Sequence, residues 1–250
     1  MRHIKEIMIV AVCLMVLSFC VCTGFGIYFM YREGVQEYED LRTYVKETDE
    51  DDHTEGTDGS DGKQTVVDFK ALKKINPDIV AWIRIPDTSI DYPVVQGNDD
   101  SYYLTHTFKK TEHVAGAIFL DSDNNADFSD DKNIIYGHNM KNGTMFSDVT
   151  QYRNKGYYTE HPVIEFETAQ GLKRYAVFAV AQVKNNDEWY AFHIAADESE
   201  YDTKIAEIKS RSLYGTEITP IYGQQLITLS TCYGATKSDR IIVVGVEIQE

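Results

Sequence analysis

The chain has 250 residues, 43% hydrophobic and 12% aromatic, which is enough for one sizeable domain with appendages. Its formal net charge of −16 comes without a basic stripe, which argues against a nucleic-acid partner. The 17 tyrosines and the many Val and Ile residues lean towards β structure.

From Ile7 to Tyr31 no residue is charged. A helix of that length, at ~1.5 Å rise per residue, can cross a hydrocarbon core of ~30 Å with some tilt. Arg2 and Lys5 precede it, so residues 1–6 are expected in the cytoplasm and the rest is expected to be exported from a single-pass anchor. The competing reading is a cleaved signal peptide. Its apolar region would be shorter, and no small-x-small cleavage site follows here. Cys13, Cys20 and Cys22 lie inside this run as small apolar side chains. Next, "REGVQEYEDLRTYVKE" (32–47) places Val35, Tyr38, Leu41 and Val45 at helical spacing, as in a stalk. Residues 47–62 then carry Glu47, Asp49, Glu50, Asp51, Asp52, Glu55, Asp58 and Asp61, with no Lys or Arg. Such a stretch cannot bury enough surface to offset chain entropy and is expected to be a disordered linker. The expected division is therefore residues 1–6, an anchor at 7–31, stalk and linker at 32–64, and a folded domain at 65–250.

The domain opens with a short helix in "VDFKALKKINPDI", with Asp68 as N-cap and Pro77 closing it. Strand-like runs recur at 80–85, 91–96, 116–121, 133–138, 162–168, 173–183, 225–231 and 240–248. An amphipathic helix is expected over 197–212, with Tyr201, Ile205 and Ile208 on one face. This pattern reads as mainly β, a barrel or sandwich with inserted helices. The segment "DSDNNADFSDDK" (121–132) starts like a calcium loop. It has Ala126 where that loop needs glycine and Lys132 where it needs a bidentate glutamate, so it reads as an Asx-rich loop. No His/Cys pairs stand at zinc-ligand spacing, and no cofactor is expected.

Cys232 is the one cysteine outside the apolar run, so the exported part has no internal disulfide. An unpaired thiol outside the cell is exposed to oxidation, which makes a chemical role the natural reading. If the strands on either side of "YGATKSD" form a hairpin, Arg240 returns beside Cys232, where a guanidinium can stabilise an oxyanion. A thiol nucleophile also needs an imidazole. Of His106, His113, His138, His161 and His193, His138 stands out because it ends the apolar strand "NIIYGH".

"TLSTC" with a downstream arginine and an upstream "YGH" resembles the sortases, the cell-wall transpeptidases of Gram-positive bacteria. The similarity is closest to class B and extends through "AWIRIPDTSIDYPVVQG", "GAIFLD", "NIIYGHNM" and "TMFSDVTQY". The resemblance implies an eight-stranded sortase-type β-barrel with inserted helices, preceded by a transmembrane helix at the cell membrane. It implies Cys232 as nucleophile on a Thr–Gly or Thr–Asn type bond of an exported protein's sorting signal. His138 would be the general acid and then base, and Arg240 the oxyanion donor. The partners implied are the sorting-signal peptide and an amine of a peptidoglycan precursor. By position, Leu104, Trp189, Tyr190 and Ser230 are expected to line the peptide groove. Asp100 stands where some relatives have asparagine. Two other readings are an exported cysteine protease without transfer and a non-catalytic wall-binding domain. In papain-like proteases the nucleophile precedes the histidine, whereas here His138 comes first.

Overall fold

The computed structural model describes the backbone of residues 2–48 and 64–249. Side chains are described for Met8 and for residues 13–26, 32–46 and 66–249. Most of the acidic stretch expected to be disordered therefore lies outside the described residues. The chain divides into two compact units, Met1–Asp40 and Leu41–Glu250.

The first unit is made by helix α1 (Arg2–Arg42), whose last two residues belong to the second unit. Leu14, Leu17, Phe19 and Phe25 are exposed on it. Among the described residues no helix is long and apolar enough to cross a membrane.

The second unit begins with a departure from the sequence reading. The helix stops at Arg42 rather than running on to 47, and β1 (Val45–Thr48) pairs antiparallel with β2 (Gln64–Val67). The segments on either side of the acidic stretch thus form a ribbon. Helix α2 (Phe69–Ile75) follows, with the Asp68 carboxylate accepting from the Ala71 amide at 2.9 Å as an N-cap.

Eight further strands close into a barrel: β3 (Ile79–Arg84), β4 (Asp91–Val95), β5 (Ile118–Leu120), β6 (Lys132–Tyr136), β7 (Val163–Thr168), β8 (Gly171–Lys184), β9 (Leu226–Cys232) and β10 (Asp239–Glu247). Around the barrel the order is β10-β8-β7-β3-β4-β5-β6-β9. The β4–β5 and β6–β9 pairs are parallel and the others antiparallel. Short helices α3 (Tyr102–Thr105), α4 (Lys155–Glu160) and α5 (Glu188–Ala191) sit in the connections.

Helix α6 (Glu198–Ser210) is capped by Asp197 and buries Tyr201, Ile205 and Ile208. These pack with Ile242, Val244 and Val246 of β10 and with Ala181 and Val183 of β8. Side chains alternate across a strand, so Ile241 and Val243 face the other way, yet they are equally buried. Burial on both faces explains why β10 reads as an unbroken apolar run.

Candidate active site

In β9 residues Leu226 to Thr231 are buried and only Cys232 is exposed. A buried strand thus delivers one thiol to the surface. The β9–β10 hairpin sets Arg240 directly opposite Cys232. Its loop is tied by Asp239: the carboxylate accepts from the Thr236 amide at 2.8 Å and its carbonyl accepts from the Tyr233 amide at 3.1 Å. The Lys184 ammonium beside Asp239, with the hydrogen bonds from Thr236, holds its carboxyl down at about 2. Gly234 sits at φ +118°, and a Cβ there would meet Asp239 atoms at 2.7 Å. The Arg240 guanidinium donates to the Lys237 carbonyl at 2.7 Å and the Asp239 carbonyl at 3.0 Å, which brace it at the hairpin.

Strand β6 runs parallel to β9 with Tyr136 beside Ser230, and the chain continues past the end of β6 to His138, which lines the same cavity as Cys232. Gly137 lies between, and a side chain there would force its surroundings to move. A Cβ there would meet Ile118 Cδ1 at 2.4 Å and Phe146 Cγ at 2.7 Å. The strand ends are laced together. Thr231 Oγ1 donates to the Gly137 carbonyl at 2.7 Å, and Asn139 Nδ2 donates to the Cys232 carbonyl at 3.1 Å. His138 Nε2 lies 2.7 Å from the Leu104 carbonyl. A carbonyl only accepts, so Nε2 carries a proton and Nδ1 is left for chemistry.

Cys232, His138 and Arg240 line one cavity of about 450 Å³. Leu104, Tyr190 and Ser230 also line it, as do Tyr136 and His193. The Tyr190 and Ser230 hydroxyls hydrogen-bond at 2.8 Å, and burial pushes the Tyr190 phenol up to about 12. Asp100, Asp121 and Asp123 give the cavity an acidic margin. Burial, then the neighbouring Asp121 and Asp123 charges, raises the Asp100 carboxyl above its ordinary range.

The expectation for Trp189 needs correction. It is 2% exposed, sits in the core cluster and does not line the cavity. Its indole Nε1 donates to Thr228 Oγ1 at 3.1 Å, which satisfies it inside the protein. Successive helical residues are turned ~100° apart, so on α5 Tyr190 meets the cavity while Trp189 anchors below.

The Asx-rich loop that walls the cavity is held by its own side chains. Asp121 Oδ1 accepts from the Asp123 amide at 2.9 Å, and Asp130 accepts from the Asn124 and Asn125 side chains at 2.7 and 2.6 Å. The sequence reading did not find Asn139 or the Leu104 carbonyl as ties on the site. An asparagine directly after the histidine is the one signal that was available.

A family model described as a sortase domain matches residues 83–248. The sortase B of Listeria monocytogenes is 37% identical over 166 residues, covering 66% of this chain and 67% of its own. A Staphylococcus aureus sortase B–substrate complex superposes with a TM-score of 0.68 at 31% identity, over 72% of this chain and 84% of that one. Sortase B from Bacillus anthracis in complex with AAEK1 gives a TM-score of 0.74 at 28% identity, over 89% of this chain and all of that one.

Proposed function

Because this chain belongs to the sortase family, on its class B side, and is by that membership a cysteine transpeptidase of the cell wall, we propose how its own residues carry the reaction. The Cys232 thiolate attacks the carbonyl carbon of a Thr–Gly or Thr–Asn type bond in a sorting signal. The carbon–sulfur bond forms, and Arg240 donates to the developing oxyanion. His138 gives a proton to the leaving amine as the peptide bond breaks, leaving a thioester on Cys232. An amine of a peptidoglycan precursor then attacks the thioester. His138 takes its proton, the new amide forms and the thiolate departs. Leu104, Tyr190 and Ser230 bind the peptide.

The observation that carries this reading is that Cys232 at the end of β9, Arg240 opposite it in β10 and His138 just beyond β6 line one cavity. Transfer is tested by measuring sorting-peptide turnover with and without an amine acceptor such as triglycine. Faster turnover with the acceptor, and an amide product, is expected. Hydrolysis indifferent to the acceptor points instead to a protease.

Residues 7–31 are the single-pass anchor and 1–6 are cytoplasmic; the extracellular catalytic domain takes in the β1–β2 ribbon and so starts before residue 65. The charge-free length of that run and the exposed Leu14, Leu17, Phe19 and Phe25 on a helix support this. The full chain should stay with membranes through alkaline carbonate washing. Its release by that treatment would remove the anchor.

A further inference from the structure

Lys132 is a charged residue with no exposed surface, and the proposed reaction does not use it. It stands first in β6, the strand that leads to His138. Its ammonium donates to the Trp189 carbonyl and lies 4.9 Å from the Trp189 ring centroid and 5.5 Å from that of Phe192. Its backbone amide donates to the His193 carbonyl at 2.9 Å. Among the described residues no carboxylate lies within ion-pairing distance of it.

The segment it grips needs gripping. Helix α5 has only four residues, too few to stand by its own hydrogen bonds. One flank is fixed by Asp187, which accepts from the Trp189 amide at 3.0 Å and from Arg211 at 2.5 Å. Lys132 fixes the other, from beneath. Between these ties, Tyr190 and His193 are presented to the cavity. Burying an ammonium is costly, and burial pushes this one down to about 7. A methionine would fill the same space without that cost but would have no hydrogen to give to the Trp189 carbonyl.

We propose that Lys132 is a positioning residue that holds the Glu188–His193 wall of the groove against the strand that leads to His138, and so governs peptide binding rather than the chemical step. This rests on the reading of the cavity as the peptide groove.

The test compares wild type, Lys132→Met and Lys132→Gln as full chains. Hydrogen–deuterium exchange of residues 188–193 should quicken about ten-fold in Lys132→Met, the scale of losing one buried hydrogen bond. Exchange in β9 and β10 should not change. With a peptide that acylates Cys232, KM should rise by a similar factor while kcat stays within about two-fold. Alkylation of Cys232 by iodoacetamide should keep its rate. Lys132→Gln, which keeps a donor, should recover part of the loss. Unchanged exchange at 188–193, exchange raised across the whole barrel, or a fall in kcat at constant KM would each overturn the proposal. So would failure of both variants to fold, since Lys132 would then serve the barrel as a whole. The exchange comparison needs no peptide, so an error in the groove reading and an error about Lys132 are seen separately.

Discussion

Cys232 and Arg240 depend on the rigidity behind them. The thiol stands at the exposed end of a strand whose other six residues are buried, so its position follows from the barrel core. Two backbone carbonyls brace the guanidinium opposite it. A lysine would keep the charge but lose the planar fork that grips those carbonyls and an oxyanion together. Arg240→Lys is expected to lower kcat about 100-fold, the usual scale for one oxyanion donor, with a smaller effect on KM. Steady-state kinetics on a sorting peptide checks this, and near-wild-type kcat would remove Arg240 from the oxyanion role. Cysteine, histidine and arginine were legible in the sequence because each marks the start or end of an apolar run, and strand pairing makes such ends meet. Lys132 was not legible. A charged side chain in an acidic loop sequence reads as surface, and only the packing of Trp189 and Phe192 over it reveals the burial.

At the scale of the element, β6 shows how a strand aims a side chain. Gly137 passes so close to Ile118 and Phe146 that any Cβ must move them or the strand. Gly137→Ala should displace His138, cutting peptide cleavage at least ten-fold and costing about 1–3 kcal/mol of stability through overpacking. Thermal unfolding and cleavage rates measure the two losses. An alanine variant with both unchanged would show that His138 is not positioned by this approach. The eight barrel strands could be read from the sequence within a few residues, since their apolar runs are bounded by turns. The β1–β2 ribbon could not, because its partners are joined across an acidic stretch that carries no pairing signal. Trp189 was misread because neighbours on a four-residue helix point to different surroundings, and sequence position alone does not say which.

For the whole molecule, closure of the barrel sets β6 parallel to β9, so the carboxyl ends of both strands reach the same rim, where β10 begins. The buried lysine in that arrangement gives the protein a pH signature. Burial pushes the folded Lys132 ammonium down to about 7, helped by Lys204 and opposed by Asp121 and Asp187, whereas an unfolded lysine holds its proton to ~10.4. Between these values the unfolded chain binds the extra proton, so this group raises stability as pH climbs from about 7 and loses that contribution as pH falls through it. The buried phenols of Tyr103, Tyr152 and Tyr175, raised by burial, act oppositely above ~10, where unfolded tyrosines ionise. Urea midpoints at pH 6.5 and 9 should therefore rise more in wild type than in Lys132→Met, and equal changes would mean the lysine does not titrate in this way. The central claim is that Cys232 carries the acyl group, and intact-mass spectrometry tests it most directly. Wild type mixed with a library of sorting-signal peptides should gain the mass of one acyl fragment on Cys232, discharged by hydroxylamine, while Cys232→Ala gains none. An adduct of equal yield on the alanine variant, or no adduct on wild type with any peptide, would contradict the account.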